Sequence, residues 1–173
     1  MAGQDNIEWR EAAEVRAAGR RLEGLAAVFD QEADLSGFRE VIRRGAFRRS
    51  LKSGDVLALV DHDRSKLLAR TRSGTLRLEE DARGLVFSID LPDTQPGRDV
   101  LALAERGDLG GMSFGFTVPK GGETFDGDTR ELIDIDLREI SIVSAWPAYE
   151  GTSVSARSKR PRLARLERFL ETV

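Results

Sequence analysis

Hydrophobic and polar positions along the chain follow mostly a two-residue period, broken by frequent glycines. Val56-Leu57-Ala58-Leu59-Val60 is continuously apolar, as in a strand buried on both faces. Residues 75–79 and 84–91 alternate, and Glu80-Asp81-Ala82-Arg83 between them predicts a hairpin connection. Residues 21–29, 112–118, 130–135 and 137–144 are also strand-like, with turns at Gly121-Gly122 and Asp126-Gly127-Asp128. Residues 30–38 are polar and acidic, a loop. Helical spacing appears at Val100, Leu101, Leu103 and Ala104, stopped by Gly107. A short helix is expected over 44–51, ending near Ser53-Gly54. Residues 6–20, rich in Ala, Glu and Arg, predict an N-terminal helix. Residues 158–173 predict a C-terminal one, with Pro161 in its first turn. About seven short strands and two or three helices give an α+β, mostly β protein, a β-barrel or sandwich with attached helices. Three segments follow: a helical extension over 1–21, a main domain over 22–156 and a basic helix or tail over 157–173.

Composition narrows the chemistry. The 173 residues, 40 % hydrophobic and 33 % charged, suit one soluble globular domain. With no cysteine, disulfides and thiolate metal sites are excluded. Residues 1–20 lack the apolar segment of a signal peptide, and no apolar run approaches the roughly 20 residues that span a bilayer. Net charge is −3, but residues 157–173 hold six Lys/Arg against two Glu, leaving −7 for residues 1–156. An acidic body with a short basic tail is not the footprint of a DNA-reading domain. The tail reads as a solvated helix end or as a contact for nucleic acid or an acidic partner. There is no Walker loop or dinucleotide fingerprint, and Asp126-Gly127-Asp128 lacks the spaced ligands of a calcium loop, so no cofactor or metal is expected.

One count directs the search for chemistry: the chain has a single histidine, His62. It ends the most apolar strand, between Asp61 and Asp63, where a carboxylate can support a general base. In Gly110-Gly111-Met112-Ser113-Phe114-Gly115-Phe116, strand alternation sends the three large side chains one way. Ser113 goes the other way, between two glycines. That clearance suits a nucleophile approached by a substrate backbone, and equally a β-bulge or tight packing contact with an incidental serine. The G-x-S-x-G match is not a nucleophile elbow, because no helix pattern and no histidine follow it. Glu139 lies mid-strand, placed by alternation with Leu137, Ser141 and Val143. A carboxylate there needs a partner, either His62 or an arginine other than Arg138. Lys66 and Lys120 are the lysines open to a Ser–Lys dyad, but neither lies in an apolar run that would lower its pKa.

Taken in order, several blocks resemble the HK97-type prohead protease family. They are residues 24–29, Glu40-Val41-Ile42-Arg43-Arg44-Gly45-Ala46-Phe47, Val60-Asp61-His62-Asp63, Gly84-Leu85, Leu109 through Phe116, and Glu139 through Ala148. The likeness covers about residues 22–155. It departs at Arg44, where the family often has proline, and at Leu68-Ala69, where it tends to Leu-Gly. The resemblance implies an antiparallel, herpesvirus-assemblin-like β-barrel ringed by helices. It also implies a serine endopeptidase that trims the major capsid protein or its scaffold segment inside the immature head, in the host cytoplasm. The family's serine falls on Ser113, its histidine on His62 and its third position on Glu139. Association as a dimer is implied too, with no membrane and no specific nucleic acid as partner. The rival is a non-catalytic β-barrel that scaffolds or decorates the head. A third reading has the barrel cleave while the terminal helix recruits. Gly110 and Gly111 are the expected source of oxyanion donors.

Overall fold

The computed structural model describes residues 7–12, 14–35 and 37–144. Thirteen strands among them form three sheets. The first has the order β1 (Glu8–Ala12), β10 (Gly111–Thr117), β13 (Asp136–Val143), β6 (Leu57–Val60) and β7 (Asp63–Arg70). A second runs β2 (Glu14–Ala18), β3 (Arg21–Val28), β9 (Gly84–Asp90) and β8 (Leu76–Glu80). The third runs β11 (Glu123–Asp126), β12 (Thr129–Leu132), β5 (Arg39–Ile42) and β4 (Ala33–Asp34). Among the described residues there are also two α-helices, α1 (Arg48–Ser53) and α2 (Gln95–Arg106), and a short 3-10 turn at Thr71–Ser73. Local chemistry bounds α2 at both ends. The Thr94 hydroxyl accepts a hydrogen bond from the Gly97 N–H, and Gly107 adopts φ +76° at the other end.

The core lies between the sheets and joins Leu22, Ala26 and Ala27 of β3, Phe87 and Ile89 of β9, and Met112, Phe114 and Phe116 of β10. Phe29, Phe47, Phe114 and Phe116 form a chain of rings with successive centroids 5.5–6.0 Å apart. In β6, Ala58, Leu59 and Val60 are all buried, as their continuous apolar run predicts.

The fold differs from expectation in two ways. It is mostly β with few helices, but the antiparallel barrel is not found. Among the described residues the three sheets stay separate, each ending in edge strands, and the β12–β5 and β13–β6 ladders are parallel. Alternation shows that a segment is a strand; it carries nothing about which distant edge it meets. Second, the helix expected over 6–20 is two strands that belong to two sheets, so residues 8–18 are not an appended extension. Ala, Glu and Arg favour helix weakly, and pairing with β10 and β3 outweighs that preference. β7, charged along much of its length, pairs with β6 as an edge strand. The helix expected over 158–173 lies outside the described residues.

β1 is held by a buried ionic cluster. Arg10 donates to Glu40 at 2.6 and 2.7 Å and to Glu8 at 2.9 Å. Arg130 donates to Glu8 at 2.6 and 2.9 Å, to Glu40 at 3.0 Å and to Glu123 at 2.6 Å. Glu8, Arg10, Glu40 and Arg130 are each less than a tenth exposed. The cluster ties β1 to β5, β11 and β12 of another sheet. Burial alone would raise the Glu8 carboxyl, but Arg130 and then Arg10 outweigh it and hold Glu8 below the usual carboxylate range. Its stabilising contribution is therefore complete above the unfolded value and lost as pH falls through the lower, folded one. Arg130→Met leaves Glu8 and Glu40 short of charge partners and should cost about 3–5 kcal/mol in urea unfolding. Glu8→Gln should flatten the acid limb of the stability profile. A loss under about 1 kcal/mol for Arg130→Met would show the cluster to be dispensable.

Candidate active site

The site is built on the β10–β13 ladder. Ser113 pairs with Ser141, and Gly115 with Glu139, so these four residues share one face. Ser113 and Glu139 are diagonal neighbours, a relation that brings side chains within reach of each other across the ladder. A β-bulge between Gly115 and Phe116 inserts Arg138 as the extra residue. This corrects the strict alternation expected of β13. Leu137 pairs with Phe116 and joins the core, while Glu139 and Ser141 face the site. Leu59, paired with Ser141 from β6, is fully buried beside them.

His62 reaches this face from the β6–β7 hairpin. Val60 pairs with Asp63, leaving a two-residue loop of Asp61 and His62 with φ of +49° and +60°. Two consecutive positive φ values define the turn type that follows strand twist, and Asp and His tolerate that region better than most residues. The loop is fastened to the end of β13. The Asp61 N–H donates to the Ile142 carbonyl at 2.9 Å, and the Asp61 carboxylate accepts from the Ser144 N–H at 2.8 Å and hydroxyl at 2.6 Å. Asp63 accepts from the Ser65 hydroxyl and N–H, and Lys66 stands 3.5 Å away; these hold Asp63 below the usual carboxylate range. The carboxylates flanking His62 thus brace the turn. The one bonded to the imidazole is Glu139, through His62 Nδ1 and Glu139 Oε1. The His62 side chain is 33 % exposed and that of Glu139 11 %, so a solvent-accessible imidazole rests on a largely buried carboxylate.

Two more donors converge on Glu139 Oε1: the Ser141 hydroxyl at 3.4 Å and the Trp9 indole N–H at 3.3 Å. The Trp9 ring meets the imidazole edge-on, with centroids 5.8 Å apart and planes at 72°. Sequence reasoning missed Trp9, because a helix over 6–20 gives it no route to β10; the period-two placement of Glu8 and Arg10 around it was the available signal. Ser113 is buried and makes no hydrogen bond to His62 in this arrangement. The glycine clearance also has a different use from that expected. A β-carbon on Gly115 would lie 2.9 Å from Trp9 Nε1 and 3.0 Å from Glu139 Cγ, so the space there is taken by Glu139 and Trp9. The Gly110 N–H, one of the expected oxyanion donors, is committed to the Val143 carbonyl at 2.8 Å. Among the described residues no group of three or more His, Cys, Asp or Glu could hold a metal ion, and no helix is long and apolar enough to cross a membrane. Asp126 and Thr129 pair across a two-residue turn at Gly127-Asp128.

A mostly β fold with a histidine–carboxylate pair on the face that bears a serine is an arrangement found in the serine-peptidase class of protein. Comparison makes the class specific: the chain belongs to the caudovirus prohead serine protease family, which matches residues 6–165. Among solved structures it is similar to the capsid assembly protease of bacteriophage T4, with a TM-score of 0.53 over 79 % of this chain and 95 % of that one. Identity to that protein is 10 %, a likeness of fold. No curated protein matches the chain.

Gly115→Ala tests the packing of the site. Its backbone has no positive φ, so the substitution acts through space alone. Peptidase activity should fall by about 10–100-fold, with the far-ultraviolet circular dichroism spectrum retained. Activity within about twofold of the unsubstituted protein would contradict the close approach of Trp9 and Glu139.

Proposed function

We propose that Ser113 is the nucleophile, His62 the general base and Glu139 the group that orients the base. The observation that carries this reading is the bond from His62 Nδ1 to Glu139, on the face of the ladder that also bears Ser113. With Nδ1 held by the carboxylate, Nε2 is the nitrogen left to accept a proton. Ser113 Oγ attacks the scissile carbonyl carbon as its proton passes to His62 Nε2. Collapse of the tetrahedral adduct breaks the C–N bond, and His62 protonates the departing amine. Water, deprotonated by the same imidazole, then attacks the acyl-enzyme and releases Ser113. Glu139 holds the ring through Nδ1 and balances the transient imidazolium.

The substrate in this reading is the major capsid protein or its scaffold segment, cleaved at an N-terminal extension inside the immature head. A head supplies many copies of that segment at high local concentration, which suits an enzyme that acts once assembly has begun. The protease acts as a dimer and needs no nucleic acid partner.

Co-expression with the major capsid protein encoded beside it, followed by intact-mass measurement, tests the reading. The capsid protein should be shortened at its N-terminus by the unsubstituted chain and remain full-length with Ser113→Ala or His62→Ala. Glu139→Gln should lose less activity than either. Shortening by Ser113→Ala would overturn the serine mechanism. Stable co-purification without shortening would favour a non-catalytic head component.

A further inference from the structure

We propose that Trp9 is a positioning residue for the reaction, its indole N–H fixing the carboxylate that holds His62. The inference rests on the roles assigned above to Glu139 and His62. Trp9 contacts both members of the pair: its Nε1 donates to Glu139 Oε1 at 3.3 Å, the oxygen that also meets His62 Nδ1, and its ring edge faces the imidazole. Glu139 is attached through a flexible side chain, so the direction of its Oε1 is set by the donors around it. Among these, the Ser141 hydroxyl is a long contact at 3.4 Å on a rotatable group, whereas the indole N–H has a fixed direction.

Two further observations show that the contact is built into the fold. Gly115 has no backbone need to be glycine, yet any β-carbon there would strike Trp9 Nε1 and Glu139 Cγ together. The missing side chain makes room for this pair. In addition, the residues on either side of Trp9 are among the most firmly held charges in the molecule. Glu8 and Arg10 alternate away from Trp9 into the buried cluster with Glu40 and Arg130. One face of β1 is thus an ionic anchor, and the other presents the indole to the site. β1 also pairs with β10, the strand that bears Ser113, from Glu8 opposite Phe116 to Ala12 opposite Met112.

Loss of the indole N–H leaves Glu139 with one fewer donor and a less defined direction. Loss of the whole ring also removes a wall beside an imidazole that is a third exposed and free to turn toward water. On this proposal both changes act through the base, so the effect falls on kcat and spares KM.

The test uses the full chain with Trp9→Phe, with Trp9→Ala, and with 3-benzothienylalanine at position 9, which keeps the ring shape and lacks the N–H. Turnover is measured on a peptide spanning the capsid-protein bond mapped by mass. Nitrogen-15 shifts of the ring are recorded in parallel; with one histidine in the chain, both ring signals belong to His62. Trp9→Phe and the benzothienyl variant should lower kcat roughly tenfold with KM within about twofold, and Trp9→Ala should lower it further. The ring shifts should move from the Nδ1–H tautomer toward a mixture in all three. Unchanged kcat and unchanged tautomer in the benzothienyl variant would overturn the proposal. So would a rise in kcat/KM for Trp9→Ala, which would make the indole a cover over the site, or a change confined to KM. Ser113→Ala, run in the same series, separates the two levels: if it retains activity, the catalytic assignment itself is wrong whatever the Trp9 variants do.

Discussion

The ladder between β10 and β13 sets the geometry on which the site depends. Its bulge at Arg138 is the decisive feature. With strict alternation, Leu137 and Glu139 would share a face, and one of them would be misplaced. A carboxylate turned among Phe114, Phe116 and Ile140 would cost several kcal/mol without a partner, about the size of a lost buried hydrogen bond or more. One inserted residue resolves the conflict, sending Leu137 to the core and Glu139 to the serine's face. The acceptor for His62 Nδ1 and for the Trp9 indole N–H exists because of that shift.

The second constraint is that the site draws on segments far apart in the chain, each fixed by its own polar anchor. Asp61 ties the histidine turn to the end of β13 through Ser144 and Ile142. Glu8 and Arg10 tie β1 to the sheet of β5, β11 and β12 through Glu40, Arg130 and Glu123. Neither anchor takes part in the chemistry. A hairpin loop with two positive φ values and an N-terminal strand rich in helix-favouring residues would otherwise be poorly specified. Buried charge networks of this kind are costly to break on one side, which makes alternative registers of β1 unfavourable.

Residues at strand ends and within alternating runs were legible in the sequence. His62 stood out because it is the only imidazole and closes an apolar strand, and Ser113 because glycines flank it. Glu139 stood out as a carboxylate among apolar neighbours, though Leu137 is not on its face as alternation gave, since a bulge leaves no trace in a hydropathy pattern. Three things were not legible. The strands at 8–12 and 14–18 are decided by partners on β10 and β3, while local propensity favours helix. The role of Trp9 went with them. The separation into three sheets depends on long-range edges, including two parallel ladders, that short alternating segments do not encode. Asp61 and Asp63 were legible as carboxylates beside His62, but their bonds to Ser144 and Ser65 became visible only with the turn in place.

We have proposed that Ser113 is a nucleophile activated by the chain's single histidine, His62. Covalent labelling with a fluorophosphonate tests it most directly, because the serine oxygen displaces fluoride and retains the phosphonyl group without any need for the natural substrate. Peptide mapping of the labelled protein should place a single adduct on Ser113, absent in His62→Ala. An adduct on another residue, or labelling of Ser113 at the same rate without the imidazole, would contradict the claim.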